Sequence, residues 1–95
     1  MKLNLEPQQS EDPAVQSELD RLTGVRVKFG DEEWAVQVGQ SWASCVVNIL
    51  AKTELADSCG ILMRKLSESA LPTIKDVGLS DRCIDGMIQE VEYRA

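Results

Sequence analysis

Two short runs of the sequence alternate between apolar and polar residues, and this pattern constrains the predicted fold most. Apolar residues stand at every second position in residues 25–29 and again in residues 34–38. Residues 30–33 between them, Gly-Asp-Glu-Glu, have a turn composition. A four-residue loop would place Phe29 opposite Trp34, so that all the apolar side chains of both runs meet on one face. The sequence therefore predicts an antiparallel β-hairpin.

Helical spacing precedes the predicted hairpin. Asp12 followed by Pro13 is typical of a helix start, with an N-cap and a proline at the first helical position. Apolar residues then recur on one helical face, at Val15, Leu19 and Leu22. Gly24 is a suitable end for this helix. We expect a first helix of roughly three turns.

Helical spacing returns after Gly39, with Ser41 and Asp57 as candidate N-caps. Two sets of residues each share a face: Trp42, Cys45, Val46, Ile49 and Leu50, and then Cys59, Leu62, Met63, Leu66 and Ala70. Residues 44–71 form either one bent helix or two. Pro72 is expected to end this region, because the residue before a proline avoids helical geometry.

A last helix is predicted from Ser80, which has the side chain of an N-cap. Its inward face is expected to consist of Ile84, Met87, Ile88 and Val91.

Together these patterns predict an α+β fold. It consists of an N-terminal helix, a two-stranded antiparallel β-hairpin, and two or three helices packed on the apolar face of the hairpin. Residues 1–12 are expected to be a flexible N-terminal tail and residues 13–95 a single domain. Leu3 and Leu5 leave open a third strand within that tail.

Composition excludes several classes of function. The chain has no histidine, which removes the commonest general base and all histidine-containing metal sites. Its formal net charge is -6, so phosphate backbones are not attracted and a nucleic-acid partner is not expected. No uninterrupted apolar run is long enough for a membrane span, so a membrane partner is not expected either.

The three cysteines, Cys45, Cys59 and Cys83, match no metal-binding spacing, and their odd number does not suit a disulfide framework. We therefore expect no metal, no cofactor and no catalytic residue. Cys45 and Cys59 fall on predicted core faces. The start of the chain has no secretory signal pattern, so a cytoplasmic location with free thiols is predicted.

Two features are candidate interface sites. Trp42 could anchor a partner, because tryptophan is enriched at interfaces, and it could equally belong to the core. Asp31, Glu32 and Glu33 would form an acidic hairpin tip that could meet a basic partner. A plain solvated turn explains the same three residues.

Residues 71–80 resemble a helix-linking stretch in the C-terminal helical domain of iron-containing alcohol dehydrogenases. The resemblance covers about a tenth of the chain. The histidine ligands and the cofactor-binding half of that family are absent, so it implies a local way of joining two helices and no activity.

The leading functional hypothesis is a non-enzymatic cytoplasmic protein-interaction module, namely an adaptor, an assembly factor or an inhibitor. A homodimer is predicted because both edges of a two-stranded sheet are left unpaired. The alternative is a small-molecule-binding or weakly catalytic domain that uses a crevice between helix and hairpin. An acidic mimic of nucleic acid ranks last, because the carboxylates are spread along the chain.

Overall fold

A computed structural model describes residues 12–94, and every regular element in this range is an α-helix. In chain order the helices are α1 (Pro13–Phe29), α2 (Asp31–Ala51), α3 (Ala56–Ser69), α4 (Leu71–Asp76) and α5 (Ser80–Arg94). The described residues contain no strand, so the predicted α+β fold with a β-hairpin is wrong and this part of the chain is all-helical. The predicted tail lies outside the described residues, apart from Asp12.

The first alternating run belongs to the last turns of α1. Val25 is partly buried and packs against the core, where it continues the helical face that ends in Leu22. Val27 and Phe29, by contrast, are 84% and 61% exposed. The alternation therefore does not correspond to a buried strand face, and only its first residue contributes to packing.

The second alternating run begins α2. Trp34 and Val38 are four residues apart, a spacing that puts two side chains on one face of a helix as well as of a strand. Ser41 and Cys45 continue the same helical face and are also buried, so Ser41 lies inside α2 and does not cap it. This longer helical period determines the structure, because it joins residues 34–45 into one buried face.

The start of α1 agrees with the prediction, and its end does not. The Oδ1 atom of Asp12 accepts a hydrogen bond from the backbone N–H of Ala14 at 2.9 Å, and Pro13 is the first helical residue. Gly24 lies inside the helix, which continues to Phe29. Gly30 makes the break between α1 and α2 with a φ of 93°, a value that favours glycine.

Helix α2 is the centre of the fold. It packs against α1 and α3 and, most extensively, against α5. The core that these helices share is built from Val15, Leu19, Leu22, Trp34, Val38, Cys45, Leu62, Leu66, Ala70, Ile74 and Cys83.

Two glycines allow α2 and α5 to cross at very short distance. A Cβ atom on Gly39 of α2 would lie 1.9 Å from the carbonyl oxygen of Cys83 in α5. A Cβ atom on Gly86 of α5 would lie 2.1 Å from the carbonyl oxygen of Val36 in α2. Both positions must lack a side chain, because real Cβ atoms never approach an oxygen so closely.

Residues 44–71 belong to more than one helix. Helix α2 ends at Ala51, and Lys52 follows in a left-handed conformation with a φ of 54°. Helix α3 begins at Ala56, and Asp57 lies in its first turn without acting as its cap. Pro72 stands in the first turn of the short α4, where its missing N–H costs no hydrogen bond.

Helix α5 turns a different face inward from the one predicted. Cys83 and Gly86 are buried and Met87 is partly buried, whereas Ile84 and Ile88 are 52% and 50% exposed. The side chain of Val91 lies outside the described part of the structure. The predicted inward face of this helix does not include Cys83 or Gly86, yet the missing side chain of Gly86 is what permits the close crossing with α2.

Within residues 12–94, no helix combines the length and the apolar character needed to cross a membrane.

Candidate functional site

Trp42 lies on α2 at the edge of the core. Its side chain is partly buried against the core cluster, and its Nε1 atom is buried without a hydrogen-bond partner. Leaving such a donor unpaired costs roughly 1–3 kcal/mol. The structure thus gives Trp42 mainly a packing role, and it does not present the indole as an exposed anchor.

Asp31, Glu32 and Glu33 form the exposed first turn of α2, so the predicted acidic hairpin tip is wrong. Carboxylates are favourable there because the N-terminus of a helix carries a partial positive charge. The Oδ1 atom of Asp31 also pairs with Nε of Arg26 at 2.7 Å, and the Arg26 guanidinium lies 4.4 Å from the centre of the Trp34 ring. These contacts give Asp31 a structural role at the α1–α2 junction.

A pocket of about 160 Å³ lies between α1, α2 and α3. Its walls are mostly apolar, with several hydroxyl, thiol and amide groups. The lining residues are Ala14, Val15, Glu18, Ser41, Ser44, Cys45, Asn48, Leu55, Ser58, Cys59 and Leu62.

Two thiols, from Cys45 and Cys59, are the most reactive groups that the pocket could offer. Burial, followed by a hydrogen bond with Cys59, raises the pKa of the Cys45 thiol far above its ordinary value. The side-chain amide of Asn48 lies 3.7 Å from the Cys59 sulfur as a hydrogen-bond donor. A thiol must be ionised to act as a nucleophile, so this environment suppresses the reactivity of Cys45.

Cys83 lies near the start of α5, where the helix N-terminus could have lowered its pKa. Burial instead raises the pKa of the Cys83 thiol. Among residues 12–94, no group of three or more histidine, cysteine, aspartate or glutamate side chains is placed to hold a metal ion.

The α2–α3 face is a second candidate site, formed around the turn between these helices. We use this name for the exposed apolar residues Val46, Ile49, Leu50, Leu55 and Ile61. Val46, Ile49 and Leu50 lie on adjacent turns of α2, and Leu50 is 77% exposed. A shallow groove of about 520 Å³ borders this face, lined by Ile49, Ala56, Asp57, Gly60, Ile61 and Arg64.

Sequence reasoning missed the α2–α3 face, because it assigned Ile49 and Leu50 to a buried helical face. One signal was present. Asp57, Gly60 and Arg64 share the face of α3 opposite Leu62 and Leu66. Packing in the core does not explain a glycine on this polar face.

Comparisons with known proteins found no matching family model, no matching curated protein and no matching solved structure.

Proposed function

We propose that this chain is a non-enzymatic protein-interaction module that binds its partner through the α2–α3 face. The observation that carries the proposal is that exposed apolar side chains occupy the end of α2 and meet α3: Val46, Ile49 and Leu50 lie on adjacent turns of α2, and Ile49 lines one groove together with Ile61. Exposed apolar surface of this kind typically marks a site of contact with another protein.

The charge of the chain favours a protein partner over a nucleic acid. The formal net charge is -6. Near the α2–α3 face, Lys52 directly follows α2 and Arg64 lines the groove. A phosphate backbone would meet too little positive charge there. The proposal includes a reducing, cytoplasmic location. It is supported by the thiols of Cys45, Cys59 and Cys83, which are free.

A small-molecule-binding function is less well supported. The α1–α2–α3 pocket has a volume of about 160 Å³. Ligand pockets usually enclose roughly 300–1,000 Å³, so this one is too small for most metabolites. The groove of about 520 Å³ beside the α2–α3 face has a sufficient volume, but it is shallow and open and would cover little of a small ligand. The chain also lacks histidine, and burial keeps the thiols of Cys45 and Cys83 protonated.

Site-specific photocrosslinking in the native host tests the proposal. A photoreactive phenylalanine analogue replaces Leu50 on the α2–α3 face, and in a matched variant it replaces Val27, which is 84% exposed on α1. We expect a discrete crosslinked protein from position 50 and none from position 27. Mass spectrometry of the adduct identifies the crosslinked protein.

A charged residue in the contact surface should abolish the adduct. Ile49→Glu places a carboxylate beside position 50, and circular dichroism checks that the helices remain folded. The proposal fails if position 50 gives no adduct, if both positions give the same adducts, or if the folded Ile49→Glu variant crosslinks as well as the parent.

A further inference from the structure

Gly60 is a helical glycine that lines the groove beside the α2–α3 face. A Cβ atom at this position would have no neighbour within 4 Å, whereas Gly39 and Gly86 each lie directly under a backbone carbonyl of another helix. Glycine has a much lower helix propensity than alanine. Glycine at position 60 therefore weakens α3, and no atom of residues 12–94 would obstruct a larger side chain there. The same holds for Gly24 in α1, so what distinguishes Gly60 is its place in the groove.

The surroundings of Gly60 have the form of a helix-binding groove. Ala56 stands one turn before Gly60, so two small residues form the floor. Ile49 and Ile61 are 39% and 37% exposed and supply apolar walls. Small residues let two helices approach closely, as they do where α2 crosses α5.

The charges along the groove indicate what occupies it. Asp57 lies three residues before Gly60, and Arg64 lies three residues after Ile61. Neither side chain forms an ion pair within the described part of the chain. The two opposite charges are thus placed symmetrically about the midpoint between Gly60 and Ile61.

We propose that the groove binds a second copy of this chain, with the two α3 helices antiparallel and crossing at Gly60 and Ile61. A two-fold axis at that midpoint brings Asp57 of each copy beside the partner's Arg64, which gives two ion pairs at the ends of an apolar centre. Closed two-fold symmetry is the commonest arrangement of homo-oligomers. This arrangement replaces the dimer expected from hairpin edges, because residues 25–38 are helical.

The inference rests on the proposed function in that it names the partner of the α2–α3 face. Crosslinking from position 50 to a different protein alone would leave that function intact and remove this inference.

Charge reversal tests the antiparallel pairing. Sedimentation equilibrium of the purified chain should give a mass above 10.5 kDa that approaches twice this value at high concentration. Asp57→Arg or Arg64→Asp alone places like charges together at both ends, and we expect each to weaken dimerisation about tenfold. The double variant restores both pairs with reversed polarity and should dimerise like the parent.

Mixing the two single variants provides a sharper test. In a heterodimer of Asp57→Arg with Arg64→Asp, both ends pair opposite charges, so the mixture should associate more strongly than either variant alone. A groove that merely tolerates charge changes would show no such preference.

Gly60→Met tests the close approach, since the new side chain has open space in the monomer. We expect a folded monomer, whereas Gly24→Met, also in open space within α1, should leave dimerisation unchanged. A parent mass that stays at 10.5 kDa at high concentration, a double variant that does not dimerise, or a Gly60→Met variant that dimerises normally would overturn the inference.

Discussion

Gly39 and Gly86 make reciprocal contacts across the same helix crossing, each facing a carbonyl oxygen that lies three residues before the other glycine. Gly39 faces Cys83 and Gly86 faces Val36. The backbones of α2 and α5 therefore touch directly, and no side chain separates them at this point. The close fit of the two helices depends on the absence of a Cβ atom at both glycines.

Replacing Gly39 with alanine should separate the two helices. The added Cβ atom would lie 1.9 Å from the Cys83 oxygen, so α5 must move away from α2. Overpacking of this kind costs about 1–3 kcal/mol, and we expect a loss near the upper end despite the higher helix propensity of alanine. Urea denaturation followed by tryptophan fluorescence, at one fixed protein concentration, measures the loss.

Gly24→Ala is the matched control for this substitution. It makes the same chemical change inside α1, where a Cβ atom meets nothing within 4 Å. We expect the free energy of unfolding to rise by about 1 kcal/mol. Equal effects at positions 24 and 39 would contradict the close crossing.

Gly30→Ala should destabilise the protein for a different reason. No atom lies within 4 Å of a Cβ at this position, but the φ of 93° and ψ of -179° form a conformation that is essentially restricted to glycine. We expect a loss of about 1–3 kcal/mol in the same urea experiment. A neutral effect would show that α1 and α2 are joined by a different backbone geometry.

Asp12 should contribute to the acid sensitivity of the fold. A hydrogen bond from the Ser58 hydroxyl, at 2.6 Å, is the main cause that lowers the pKa of Asp12 below its ordinary value of 3.8. Such a group stabilises the folded state above its unfolded-state pKa, and this stability is lost as the pH falls through the folded-state pKa. Below about pH 4 the contribution should therefore decline.

Thermal unfolding of Asp12→Asn between pH 7 and pH 2.5 checks this prediction. Asparagine keeps a side-chain oxygen for the helix cap but cannot be protonated in this range. The parent should lose more stability than Asp12→Asn over the acidic part of the range. Parallel curves for the two proteins would exclude the proposed contribution of the carboxylate.

The three cysteines should differ in their rate of alkylation. Burial raises the pKa of the Cys45 and Cys83 thiols, and both side chains are almost fully covered. Cys59 is less deeply buried, at the wall of the α1–α2–α3 pocket. We expect iodoacetamide to modify Cys59 first in the folded protein and all three residues equally fast in urea.

Peptide mapping by mass spectrometry assigns the modified residue at each time point. A Cys59→Ser variant should react much more slowly than the parent under native conditions. Early modification of Cys45 would mean that its thiol is more ionised and more accessible than its burial implies.

Local sequence signals predicted the start of the fold well. Asp12 and Pro13 form the cap and first residue of α1 as expected, and Val15, Leu19 and Leu22 form its buried face. These features depend on neighbours within one or two helical turns. They can therefore be predicted without knowledge of the rest of the fold.

The hairpin prediction failed because the alternating runs were too short to separate two periods. Trp34 and Val38 satisfy both the strand and the helix spacing, and only the extension to Ser41 and Cys45 distinguishes them. The predicted end of α1 at Gly24 is wrong for a similar reason, since glycine often ends a helix but is tolerated inside one. Here the packing of Val25 against the core, one residue beyond Gly24, offsets the low helix propensity of that glycine.

The candidate site depended on contacts that no local pattern contains. Nothing near Gly39 in the sequence indicates that Cys83 will lie above it. Likewise, the exposure of Ile49 and Leu50 depends on where α3 and α5 pack around α2. The position of Gly60 on the polar face of α3 is the sequence feature that indicates this site.

The central place of α2 also sets an order for folding. Helices α1 and α2 are joined by a single residue and can pack as soon as both have been synthesised, because closing such a short loop costs little entropy. The backbone contact at Gly39 can form only after α5 has been synthesised, which happens much later. Until then a strip of α2 backbone remains in water, so we expect the docking of α5 to be the slow, final step by which the nascent chain becomes resistant to proteases.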